Sequence, residues 1–268
     1  MKRLLFLLYG AVAYGTFLAT FLYAVGFVAG VAVPRSIDSG GRIAPLGTAL
    51  TVDAVLLTLF ALQHSGMARK GFKEAWTRVV PRPIERSSYV LATNGCLALL
   101  FLLWHPIPRV VWAVEGTAAR VALFALSGLG WFLAVFSTFL LDHFELFGLR
   151  QVYLAARRSE QRQARFRTPL LYKLVRHPLY LGFILAFWAA PTMTVGHLVF
   201  ALGMLGYILV GIQLEELDLV FEHGIRYLAY REQVRALLPL PRHVPDGLEV
   251  ILEAKSAVSS RAPGSRSG

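Results

Sequence analysis

An all-α, polytopic membrane helix bundle is the fold class this sequence predicts, on three observations. Hydrophobic residues fill 56% of its 268 positions and the mean hydropathy is +0.56, too apolar for an ordinary soluble domain. Those residues gather into six spans. Charge concentrates between the spans, and every Lys and Arg except Arg35, Arg42, Arg109 and Arg120 falls on one side of the alternation.

The spans run Leu4–Val33, Leu46–Leu62, Ser88–Trp104, Val121–Leu141, Leu179–Ala190 and Leu198–Leu214. Four of them fit a crossing of about 20 residues. The first is longer and must tilt or protrude. The fifth is too short unless Tyr172–Val175 extend it. Lys2-Arg3 ahead of the first span resembles the start of a signal peptide, but the apolar stretch is far too long for an h-region, so a retained helix is expected. The charge split places both termini and segments 67–87, 142–176 and 215–268 in the cytoplasm.

Between the spans, Ala68, Phe72, Ala75, Trp76 and Val79 recur at helical spacing among basic residues, which predicts an interfacial helix ended by Pro81 and Pro83. Thr168-Pro169 marks the start of the next helix. The last span is expected to continue as one helix from Gly196 to about Leu238, where Pro239 and Pro241 stop it. Residues 1–245 read as one membrane-embedded domain. The Ser-, Gly- and Arg-rich segment 246–268 has no apolar face to bury and is expected to be disordered.

The composition also excludes chemistries. Cys96 is the single cysteine, so neither an internal disulfide nor a thiolate zinc site can form. A net charge of +11 suits anionic lipid at membrane flanks, and no basic stretch lies elsewhere to bind nucleic acid. His64, His143, His177 and His197 lack metal-ligand spacing, so no metal is expected. GxGxxG and Gly-x-Ser-x-Gly patterns are absent as well.

Four polar groups stand out at one predicted membrane face. Span two runs into Gln63-His64-Ser65 and span four into Asp142-His143-Phe144-Glu145; span five opens at Arg176-His177 and span six ends at Glu215-Glu216. Alone, a histidine or an acid pair at a helix end is commonly a solvated interfacial residue. Four such groups at one depth point to a site, because ionisable residues beside lipid are costly. Pro178 suits a first helical turn and biases His177 out of helical geometry, fixing the imidazole at a cap. Tyr180 falls four residues after Arg176 on the same side of the turn, and Gly182 permits close approach by a helix or a ligand.

From Gln63 to Pro241 the chain resembles the isoprenylcysteine carboxyl methyltransferase-like membrane methyltransferases, most closely their bacterial methanethiol S-methyltransferase branch. Gln63-His64-Ser65, Pro83-Ile84-Glu85-Arg86-Ser87, Phe166-Arg167-Thr168-Pro169, Arg176-His177-Pro178-Leu179-Tyr180-Leu181-Gly182, Pro191-Thr192-Met193-Thr194 and Glu215-Glu216 carry the resemblance. It implies a bacterial inner-membrane enzyme with a cytoplasmic S-adenosylmethionine pocket built without a Rossmann fold. Tyr172, His177, Pro178, Leu179, Tyr180 and Glu215 match cofactor-contacting positions; Gln151 and the Arg165–Arg167 loop are weaker matches. The branch reads Glu-Glu-Arg-Asp-Leu where this chain has Leu217 in the third place, so any role of that arginine is lost. Where the carboxyl methyltransferases carry a substrate-facing arginine, this chain has Gly211, which argues against a carboxylate substrate.

The resemblance therefore implies a small uncharged thiol as acceptor, methanethiol giving dimethyl sulfide. A thiol reacts as its thiolate, and either His64 or His143 could take the proton. The sequence does not choose between them. Two rival readings share the pattern: a sterol-reductase-like NADPH enzyme, and a non-catalytic NnrU-like membrane protein.

Overall fold

The computed structural model describes residues 2–159 and 166–240. The proposed 246–268 tail, together with Arg165 and Pro241, lies outside them. The chain is almost wholly helical. In order come α1 (Lys2–Ala29), α2 (Leu46–Ala68), α3 (Lys70–Trp76), α4 (Glu85–Leu103), β1 (Val110–Ala113), α5 (Thr117–Leu141), α6 (His143–Leu146) and α7 (Leu149–Arg157). The series continues with α8 (Pro178–Trp188), β2 (Thr192–Thr194), α9 (Val195–His223) and α10 (Ile225–Gln233).

Five helices among the described residues (α1, α2, α4, α5 and α9) are long and apolar enough to cross a membrane, which makes this a multi-pass membrane protein. The fifth predicted span differs. It forms α8, an apolar helix of 11 residues, about 17 Å long, against a hydrocarbon core of about 30 Å. Tyr172–Val175 do not extend it: Leu170–Lys173 form a separate 3₁₀ turn, and Arg176 and His177 bend away to pair with the backbone of Arg235 and Ala236. Pro169 thus introduces that turn rather than a long helix. The chain still passes from end to end, because α8 starts beside the end of α9 and leads into β2, which pairs with β1 at the opposite end.

Small residues bring α8 into the bundle. A Cβ on Gly182 would sit 2.6 Å from both Ala134 N and Gly130 O, and one on Gly130 would sit 2.5 Å from Ala186 N. The reciprocal glycines let the α5 and α8 backbones touch, which in lipid is a main source of helix association. Gly182 therefore serves helix packing. Below it an aromatic core joins Phe27, Phe101, Trp104, Trp131, Phe187 and Phe200.

Two further expectations change. The long terminal helix is broken at Gly224, whose φ of +55° and ψ of −129° suit only glycine, so α10 turns off as a separate element. The interfacial helix is shorter than its pattern, with α3 covering only Lys70–Trp76. One feature was not expected: Thr192–Thr194 form a strand against Val110–Ala113, and Thr194 then caps α9 by accepting the His197 N–H at 3.0 Å. That stretch closes the end of the bundle remote from the acids.

Candidate active site

The polar groups converge where α2, α4, α8 and α9 meet. His177 is the N-cap of α8, with φ −125° and ψ 64°, the non-helical geometry that Pro178 imposes. Its ring is buried between the two acids: Nε2 lies 3.1 Å from Glu216 Oε1 and Nδ1 3.7 Å from Glu215 Oε2.

The adjacent acids have opposite surroundings. Glu216 Oε1 accepts from Arg176 Nε at 2.9 Å and from Nη2 at 2.6 Å, and both side chains are nearly buried. Arg176 spends its other nitrogen on the carbonyls of Arg231 and Val234. It therefore fastens α8, α9 and the segment after α10 together and does not face Tyr180. Glu215, by contrast, is 45% exposed, has no arginine or lysine partner among the described residues, and its charge acts on the nearby Tyr180 hydroxyl. It is a carboxylate left free for a cation.

Tyrosines wall this acid. Burial, and then the negative charge of Glu215, holds the Tyr172 hydroxyl well above its ordinary pKa, and its carbonyl accepts from Tyr230. Burial likewise pushes Tyr230 up to about 12. Phe166 packs against His223, Tyr227 and Tyr230, so part of the Arg165–Arg167 loop does reach this wall. Tyr207, Gly211 and Glu215 follow one another at four-residue spacing, so they share one stripe of α9. The Tyr180 hydroxyl would lie 3.6 Å from a Cβ on Gly211. Arg69 at the end of α2 pairs with Asp218 at 3.1 Å, holding the rim of the cluster to α9.

His64 sits deeper, at the level of Tyr207, with ring centroids 6.2 Å apart, and is flanked by Phe60 and Tyr89. Thr93 donates to the Tyr89 carbonyl, so toward His64 Nδ1 at 3.3 Å it can only accept, which places the ring proton on Nδ1. The Tyr89 hydroxyl lies 2.9 Å from Nε2 and 3.0 Å from Nδ1. With the proton on Nδ1, the Nε2 lone pair of this half-buried ring accepts from the Tyr89 hydroxyl.

His143 does not join this group. It is buried, stacked on Phe139 with centroids 4.0 Å apart, and closed in by Phe144 and Phe147. Thr138 donates to Val135 O and accepts from Nδ1 at 2.7 Å, while Tyr14 reaches Nε2 at 2.8 Å. Both nitrogens are used, and burial lowers its pKa. Neighbouring Asp142 and Glu145 both pair with Arg150. Gln151 is apart too, donating to Glu145 O at 3.3 Å from α7. Pro178 is buried at the start of α8, next to Leu179. Tyr89 and Tyr207 were not singled out from sequence, although Arg86 and Tyr89 lie one turn apart and stack at 4.8 Å.

The chain is 54% identical over 244 residues to the methanethiol S-methyltransferase of Mycobacterium tuberculosis, covering 91% of this chain and all of that one. The chain belongs to the methanethiol S-methyltransferase family. A Pseudomonas deceptionensis enzyme of the same name is 54% identical over 240 residues, 89% of this chain and 91% of its own. Nurim of Bos taurus is more distant, 31% identical over 207 residues, 74% of this chain and 75% of its own. No protein-family model and no solved structure matches the chain.

Proposed function

We propose that this protein is an integral-membrane, S-adenosylmethionine-dependent methyltransferase that converts methanethiol to dimethyl sulfide. Family membership supports the reaction, and the observation that carries the site is the contrast between the two acids. Glu216 is consumed by Arg176 and His177, whereas Glu215 offers a carboxylate to an incoming cation at an aromatic wall. That donor set fits S-adenosylmethionine: Glu215 would hold its amino group or ribose hydroxyls, with Tyr172, Tyr180, His177, Pro178 and Leu179 around it. Bound there, the cofactor supplies an electrophilic methyl group on a sulfonium.

The remaining work falls to the chain. Phe60, Tyr89 and Tyr207 pack around His64 as an aromatic cluster, apolar surroundings that suit an uncharged thiol and disfavour water. His64, holding its proton on Nδ1, takes the thiol proton at Nε2 once the thiol displaces the Tyr89 hydroxyl there, and leaves a thiolate aligned for displacement. Gly211 presents no cation to a carboxylate. The basic end of the bundle, which bears this site, faces the cytoplasm of a bacterial inner membrane, as the positive-inside rule directs.

The test is headspace gas chromatography on cells expressing the protein and fed methanethiol. Dimethyl sulfide should exceed that from a His64→Ala, Glu215→Ala double mutant expressed at the same level. Equal yields would refute the reading. Turnover of a prenylated cysteine carboxylate would move the protein toward the carboxyl methyltransferases, and NADPH-dependent reduction toward the reductases.

A further inference from the structure

A neutral histidine acts as a base only through the ring nitrogen that carries no proton, so a third group has to fix which nitrogen that is. At His64 the groups in reach are hydroxyls. Tyr89 and Thr93 stand four residues apart on α4, one turn from each other, and between them they reach both nitrogens of this α2 ring.

The two contacts differ in kind. Thr93 spends its single proton on the Tyr89 carbonyl at 3.0 Å, the usual back-bond of a threonine inside a helix. Its two lone pairs then take Gln63 Nε2 at 3.4 Å and His64 Nδ1 at 3.3 Å. The Gln63 amide has to present its nitrogen on this side. Turned over, its oxygen would face the Thr93 oxygen, whose proton is spent, and the Met67 sulfur at 3.2 Å, which has none. One donor and two acceptors are thus all used, so the Thr93 contact cannot reverse, and Nδ1 must donate. The Tyr89 hydroxyl, by contrast, gives its proton to Nε2 at 2.9 Å only until a thiol takes its place.

Thr138 repeats the arrangement at His143, donating to Val135 O at 2.6 Å and accepting from Nδ1 at 2.7 Å. Such an array orients a ring and does not by itself make a base. The neighbourhood decides: His64 lies against Tyr207 on the stripe of α9 that carries Glu215, and His143 lies among phenylalanines. We propose that Thr93, braced by Gln63, is the positioning residue of the reaction, holding the His64 proton on Nδ1 so that the Nε2 lone pair always meets the thiol. This rests on the reading of His64 as the base. In the step it serves, the thiol S–H bond breaks, its electron pair stays on sulfur and the proton joins Nε2. Without Thr93 the ring relaxes toward the Nε2–H form that unconstrained imidazole prefers, in which Nε2 donates and cannot accept.

The experiment measures tautomer and turnover on the same full-length protein in lipid bilayers. Solid-state nitrogen NMR of histidine-labelled protein reports which ring nitrogen is protonated, and the His64 signals are those lost in His64→Ala. The wild type should show His64 protonated on Nδ1. Thr93→Val keeps the shape and drops the hydroxyl. It should bring in the Nε2–H form and lower kcat/KM for methanethiol by about three- to ten-fold, the weight of one neutral hydrogen bond, with S-adenosylmethionine affinity unchanged. Thr93→Ser should keep both at wild-type values. Thr138→Val should move the His143 signals and leave turnover alone. A Thr93→Val spectrum unchanged from wild type overturns the positioning role and leaves the base standing. A wild-type His64 protonated on Nε2 also overturns it, and that spectrum decides even if Thr93→Val fails to fold. So does an equal loss of turnover in Thr138→Val, which would mark general loosening of the bundle. A moved His64 tautomer with wild-type turnover, or a wild type without turnover, overturns the base, and the positioning role with it.

Discussion

Glu215 and Glu216 are neighbours in sequence, and their replacement should damage different properties. Glu216 is 14% exposed and its Oε1 collects three contacts, two from Arg176 and one from His177. Removing it leaves a guanidinium that is 8% exposed without its counter-charge, and breaking a buried pair from one side costs about 3–5 kcal/mol. For a chain of this size about 1 kcal/mol moves Tm by roughly 2–4 °C, so Glu216→Ala should melt roughly 6–20 °C lower. Glu215 is 45% exposed and, among the described residues, its one ion pair is with His177 at 3.7 Å, so Glu215→Ala should cost less than about 1 kcal/mol of stability. Its cost should appear in binding. Loss of one charge-assisted contact is worth about 1.5–3 kcal/mol, a weakening of S-adenosylmethionine affinity by about ten- to a hundred-fold. Thermal melts of detergent-solubilised protein and isothermal titration with the cofactor give both numbers on the same samples. The assignment of the two acids is wrong if Glu215→Ala lowers Tm more than Glu216→Ala does while its affinity stays at the wild-type value.

Other outcomes follow from the same geometry. His64→Ala should reduce turnover by about 10²–10⁴-fold, whereas Tyr14→Phe, which loosens His143, should change it far less; equal losses would restore His143 as a candidate base. His143 is buried neutral, with its pKa below the ordinary value, so the unfolded chain takes up this proton first as the pH falls. Its contribution should be constant above about pH 6.5 and should decline below it until the lowered native pKa is passed. A His143→Gln variant should lack that decline, and identical Tm–pH curves would contradict it. Gly182→Ala should cost about 1–3 kcal/mol or more because its Cβ meets backbone on α5, and an unshifted melt would show that the α5–α8 contact is looser. A cysteine at position 158 in a Cys96→Ser background should react only from the cytoplasmic side, and labelling from outside would invert the topology.

Much of the site was legible because polar residues at helix ends are rare and expensive in so apolar a chain. His64, His177, Tyr180 and Glu215 stood out for that reason and do come together. His143 stood out equally, since its position in sequence is like that of His64; only the surroundings separate them, His64 lying against Tyr207 of α9 and His143 against Tyr14, 129 residues away. Tyr89 and Tyr207 were passed over because a tyrosine inside a span reads as apolar bulk or an interface anchor. The Tyr207, Gly211, Glu215 spacing was the available signal. Gly224 was missed because helix-compatible residues continue on either side of it, and backbone handedness leaves no trace in hydrophobic periodicity. The β1–β2 pair was missed because each strand is too short to show alternation.

The pairing of α5 with α8 has a consequence for the surrounding bilayer. α5 is about 38 Å long and α8 about 17 Å, yet they lie in backbone contact. Lipids that reach the half-buried face of α8 therefore meet a helix shorter than its neighbour by more than half a hydrocarbon core. Thinning or tilting at such a step costs fractions of a kcal/mol per Å, and a thicker membrane raises the strain on the end of α8 that carries His177. Acyl-chain length in the host membrane thus becomes a variable that acts on the geometry of His177 and Glu215 without touching either residue.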